Sequence, residues 1–185
     1  MPQDGPTTQD CEQAAGTRWI MHHAQPLVPH HVTLWGDDLY SKAPFCALAL
    51  HPGFHFLLVC QPDAHPKLYE RLAFGQPQGV MGQCAQRRRP GPVTEVALYR
   101  FIHEVLLQAG KHTLSVPWLE LTVLNAKTGA QLSDNTFIPT HRRSAQNVAQ
   151  VAQAGRGRWQ IANENPNGLK TKGYHLEHNC GHGKP

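Results

Sequence analysis

Residues 54–59, Phe-His-Phe-Leu-Leu-Val, form a near-continuous apolar run that leaves little freedom in the architecture around it. A strand with one wet face alternates polar and apolar residues; a run without alternation must bury both faces. Such a strand needs structure layered on either side. Its neighbours in the chain supply candidates. Val32-Thr33-Leu34-Trp35 is a β-branched and apolar run that Gly36-Asp37-Asp38 ends. Ser41 then suits a helix cap, with Pro44 in the first turn, an apolar body of Phe45, Cys46, Leu48 and Leu50, and His51-Pro52-Gly53 as the stop. A further helix is expected over 66–74, carrying Leu68, Tyr69 and Leu72. Strand, helix, strand, helix predicts a parallel pair with a right-handed crossover. It also predicts that Asp37 and Asp38 cap the carboxyl end of a central strand, where open α/β sheets build their sites.

Upstream, residues 7–21 suit one amphipathic helix with its acidic residues early, and Pro26 and Pro29 block its continuation. Residues 75–92 read as a Gly-, Gln- and Pro-rich loop with Arg87-Arg88-Arg89 exposed near its end. From there the period changes. Strands are expected over 93–105, 114–124 and 131–138, with Lys127-Thr128-Gly129 turning between the last two. Ser144 then caps a short helix over 145–154, with Val148 and Val151 on one face. Three parts follow: residues 1–74 as the first part of the core, 75–138 as a loop and β-rich insertion, and 139–185 as a basic helical part.

Charge is distributed unevenly. From Pro139 onward there are seven Lys/Arg and two Asp/Glu, a net of +5, while the whole chain carries +4, so the earlier residues total −1. A basic segment after a near-neutral one is a footprint of nucleic-acid contact, though a solvated basic tail gives the same count. Five scattered cysteines with no CxxC pair, and a start without a signal-peptide pattern, suggest free thiols in a reducing cytoplasm. The apolar runs are too short to span a bilayer, so no membrane partner is expected. No GxSxG elbow, P-loop or dinucleotide fingerprint occurs, which gives nucleophile and nucleotide chemistry little support.

Several of these segments, taken in order, resemble the DDE-type insertion-sequence transposases. Gly36-Asp37-Asp38-Leu39-Tyr40-Ser41, then 54–60 with Pro62-Asp63-Ala64-His65 after it, is similar to the family's second-aspartate region. Asn135-Thr136-Phe137-Ile138, Arg158-Trp159-Gln160-Ile161 and residues 169–179 resemble the segments leading to its last arginine–glutamate–lysine helix. The resemblance covers nearly the whole chain. It implies an α/β fold of RNase-H-like type, a mixed sheet with flanking helices, interrupted here by the antiparallel insertion and incomplete at both ends. It also implies Mg²⁺-dependent DNA cleavage and strand transfer, with DNA as partner and a homodimer in the intact family member. Three carboxylates in that family hold two Mg²⁺ ions, hard cations suited to oxygen ligands. Carried over, Asp37 matches the second metal-binding and catalytic aspartate, with Asp38 as the alternative. Arg142, Arg143, Arg156, Arg158, Lys170 and Lys172 are the expected DNA contacts.

Two departures accompany the matches. The family's first aspartate belongs upstream of the region that residues 1–20 resemble, and the position of its final glutamate holds Ala162. Glu164 is the weaker metal candidate. At about 100° per residue it lies nearly opposite Ala162 on a helix, so it needs a bend to reach the site. Pro166 and Gly168 each disfavour the helix, by about 3 and about 1 kcal/mol relative to Ala. The expectation is a shortened, decaying transposase without cleavage activity as this isolated chain. Two alternatives remain: a non-catalytic DNA-binding remnant, and a zinc module at His175-x-x-His178-x-Cys180-x-His182.

Overall fold

The computed structural model describes residues 12–73, 81–109, 112–141 and 144–157. A mixed, open six-stranded sheet runs through it: β1 (Thr33–Gly36), β2 (His55–Val59), β3 (Gly82–Arg88), β4 (Glu95–Ala109), β5 (His112–Asn125) and β6 (Gln131–Pro139). Their spatial order is β1-β2-β6-β5-β4-β3. The helices are α1 (Glu12–Leu27), α2 (Ala43–Leu50), α3 (Pro66–Ala73) and α4 (148–157). No helix among the described residues is long and apolar enough to cross a membrane.

The apolar run behaves as its composition requires. Phe56 and Leu58 pack into one core, with Cys46 and Ala49 of α2, Leu68 of α3, and Trp118 and Ile138. Leu57, between them, points into the other core, with Phe137, Leu119, Leu121 and the α4 residues Val148 and Ala152. Full burial of each such side chain contributes roughly 1.5–3 kcal/mol, so β2 stitches two layers through one sheet. The parallel pairing of β1 with β2 is present, in the register Thr33↔His55 to Gly36↔Leu58.

Four expectations are corrected. β1 is an edge strand, not a central one, because β6 pairs antiparallel with the other side of β2. That pairing is locked at both ends: Cys60 N–H donates to the Thr136 carbonyl at 3.0 Å, and Phe56 N–H to Thr140 Oγ1 at 2.8 Å. Part of the expected 75–92 loop is β3, the opposite edge, whose Gln- and Arg-rich sequence gives no apolar alternation to read. The arginines of 87–89 fall at its end, where charge blunts an edge. α1, described from Glu12 (residues 7–11 of the expected helix lie outside the described residues), continues past Met21 and through Pro26, which sits in its last turn. Finally, Lys42 holds the N-cap position of α2, and the Ser41 side chain is used elsewhere.

The head of α4 agrees with expectation only in part. Ser144 lies just before it, but the helix runs over 148–157 rather than 145–154, and Ser144 Oγ bonds Asn147 Oδ1 rather than a backbone N–H. The Ser144 carbonyl accepts the Val148 N–H at 3.0 Å, and Asn147 Oδ1 reaches back to the Ser144 N–H at 2.8 Å. That return bond is one half of a capping box; the Ser144 hydroxyl donates to the same Asn147 oxygen and, among the described residues, supplies no bond to a backbone N–H. The turn after β5 is where the sequence put it. Asn125 Oδ1 accepts from Lys127 and Thr128 N–H, and Gly129 adopts φ +70°.

Candidate functional site

The tip of β1 opens into a cleft of about 250 Å³. Asp37 and Asp38 line it, with Gln61 just beyond β2, Asn135 and Thr136 of β6, and Gly155 of α4. Strand tips put these side chains together because β1 and β2 run parallel and end side by side, while β6 enters beside them from the opposite direction.

Local chemistry holds the two aspartates in a tight turn. Asp37 Oδ1 accepts the Leu39 N–H at 3.1 Å, an Asx turn, and the Asp37 carbonyl accepts the Tyr40 N–H at 3.3 Å. Ser41 Oγ donates to the Asp38 carbonyl at 2.8 Å and lies 2.6 Å from His65 Nε2. A hydroxyl has one proton to give, so His65 Nε2–H donates to Ser41. Burial, helped by the Lys42 ammonium, pushes His65 down to about 4, so the imidazole is neutral at neutral pH. The pair has the composition of a nucleophile and its base. Ser41 is nevertheless fully buried and its proton is committed to a backbone carbonyl, so it braces the Asp37–Asp38 turn.

Gly155 brings α4 down beside the cleft. A Cβ there would meet the Phe137 ring at 2.7 Å, so a side chain would lift the helix off β6. Gly36 does the same for β1, where a Cβ would lie 2.8 Å from Leu58 Cδ2. Thiol chemistry is disfavoured here: burial pushes Cys60 and Cys46 up to about 12, and a thiol in that range is protonated and inert. Cys46, Cys60 and Cys84 are free.

Asp37 and Asp38 therefore share one cleft, and Arg156 follows directly on Gly155 in the helix that reaches it. Glu164, Arg142, Arg143, Arg158, Lys170 and Lys172 lie outside the described residues, as do Ala162 and the His175/His178/Cys180/His182 cluster. Gln61, Asn135, Thr136 and Gly155 had no site role in the sequence reading. The signal for Asn135 and Thr136 was their place in the transposase-like segments. Among the described residues no group of three or more His, Cys, Asp or Glu could hold a metal ion. The donors present are two carboxylates, the side-chain amides Gln61 and Asn135 and the Thr136 hydroxyl. Such an oxygen-rich set suits one hard cation that keeps part of its water shell; it does not supply the anionic ligands of a cation pair. No protein-family model matches the chain, and no curated protein sequence matches it.

Proposed function

We propose that this chain is part of a DDE-type insertion-sequence transposase with an RNase-H-like core, and that its Asp37 cleft is the remnant of a divalent-cation and DNA-phosphate site. One observation carries this. Segments that resemble the family at 36–41, 54–65 and 135–138, far apart in the sequence, converge on a single cleft with the helix that leads into Arg158. A chance likeness spread along a chain has no reason to fold to one point.

In that reading Asp37 is the metal-binding and catalytic carboxylate, Asp38 its alternative, and Gln61 and Asn135 offer neutral oxygens beside them. A bound Mg²⁺ would supply electrostatic stabilisation of the charge that develops on an attacked DNA phosphodiester. The chain's own residues do the rest. Ser41 and His65 hold the turn, Phe137 and Gly155 set the distance of the basic helix, and Arg156 with the basic residues beyond it meets the phosphate backbone. β1 pairs with β2 alone among the described residues, and in this reading a further carboxylate would come from a strand added at its outer edge. With the donors described, the chain by itself binds DNA and does not cut it.

The test is a band-shift titration with duplex DNA across a salt series, alongside supercoiled plasmid with Mg²⁺ or Mn²⁺. The expected result is salt-sensitive binding, with Arg156→Gln reducing the slope of log K against log salt by about one, and no nicking. Binding without a salt slope would remove the phosphate-contact reading. A Mn²⁺-dependent nick abolished by Asp37→Ala would overturn the non-catalytic part.

A further inference from the structure

Beyond the Asp37 cleft, α4 shelters a second one of about 580 Å³ against the insertion strands. It is lined by Gln86 and Arg88 of β3, Tyr99 of β4, and Gln153 and Arg156 of α4, and no carboxylate is among the lining residues. The register explains the grouping: Cys84↔Tyr99, Gln86↔Ala97 and Arg88↔Glu95 place these side chains on the sheet face that α4 covers.

We propose that this cleft binds a phosphate group, held between the Arg88 and Arg156 guanidiniums with the Tyr99 hydroxyl as a third donor. Three observations support it. Tyr99 is 3% exposed and lines the cleft beside both arginines, so what remains open of its side chain opens toward them. Arg156 forms no ion pair among the described residues, and Arg88, whose Nε meets Glu95 at 3.0 Å, lines the cleft with it. Burial raises the Tyr99 pKa, while Arg88 and Arg156 both act to lower it, so the two cations lie within electrostatic reach of the same hydroxyl. Two guanidiniums and a hydroxyl, with amides at Gln86 and Gln153, are donors arranged for a multiply charged oxyanion. The ligand is a free phosphate anion or a phosphodiester of a nucleic acid; both present the same oxygens.

This inference shares Arg156 with the DNA-contact reading; its test involves neither cation nor cleavage, and Tyr99→Phe, which alters this cleft and not the Asp37 cleft, separates the two. Inorganic phosphate is titrated into the full chain by calorimetry at low salt, and a single-stranded oligonucleotide is then competed against it. The expected result is saturable phosphate binding, weakened roughly tenfold by Arg156→Gln and measurably by Tyr99→Phe. Arg87→Gln makes the same charge change on β3 outside the cleft lining and is expected to leave binding unchanged. Competition by the oligonucleotide identifies a phosphodiester as the ligand; phosphate binding without competition identifies the free anion. Absent saturable binding, or an equal loss in Arg87→Gln and Arg156→Gln, overturns the proposal.

Discussion

The Ser41 hydroxyl and the His65 imidazole meet at 2.6 Å in the interior, directly behind the turn that carries Asp37 and Asp38. This contact gives the chain a pH-sensitive strut. Folded, the imidazole takes a proton only near pH 4; its ordinary value is 6.5. Between those values the unfolded chain holds more protons than the folded one, so stability rises with pH across the window. Stability is therefore full above about pH 6.5 and is lost on acidification toward pH 4, by at most roughly 3 kcal/mol. Urea unfolding at a series of pH values measures it. His65→Gln, which cannot charge, should flatten the profile in that window.

Removing the hydroxyl tests the strut from the other side. Ser41→Ala leaves the Asp38 carbonyl and the His65 N–H without their partner in a buried place, at a cost of about 1–3 kcal/mol. Amide hydrogen exchange should show faster opening at Leu39 and Tyr40, whose N–H groups bond back to Asp37. Protection in the β4–β5 ladder should fall only by the global amount.

Gly155 sets how closely α4 approaches β6. In Gly155→Ala the new methyl meets the Phe137 ring at 2.7 Å. Overpacking of this kind costs about 1–3 kcal/mol, against a gain of about 1 kcal/mol from alanine's helix propensity. The net loss is up to about 2 kcal/mol, and Tm should fall by up to roughly 8 °C. Phe137→Leu in the same chain should recover part of the loss, so that the two changes are less than additive.

Much of the fold was legible because burial leaves a periodic trace. The 54–59 run announced a strand with two covered faces, and Phe56 and Leu58 do face one core while Leu57 faces the other. The parallel β1–β2 pair and the 127–129 turn were readable from turn chemistry, while Ser144 pointed to a helix that in fact begins three residues later than expected, at 148. Less legible was which strand would lie on the far side of β2. A βαβ unit specifies that two strands are parallel neighbours but not which of them takes the third, and here the backbone bonds of Cys60 and Thr136 gave it to β2. β3 left no trace because most of its side chains are exposed, so selection for alternation is weak at that edge.

The site was half legible. A carboxylate after a strand is visible in a sequence, and Asp37 and Asp38 were found that way. Gln61, Asn135 and Gly155 are neutral or small residues whose place in the cleft exists only after three distant segments meet. Ser41 looked like a helix cap because a serine before Ala43-Pro44 usually is one; the nearby imidazole of His65, distant in sequence, claimed it instead.

The central claim is that the Asp37 cleft attracts a divalent cation, and Mn²⁺ titration followed by two-dimensional amide NMR tests it most directly. The predicted result is selective paramagnetic broadening at Asp37, Asp38, Gln61, Asn135 and Gly155 at substoichiometric Mn²⁺, reversed by excess Mg²⁺ and abolished in Asp37→Asn. Broadening that is centred elsewhere, or that persists unchanged in Asp37→Asn, would contradict it.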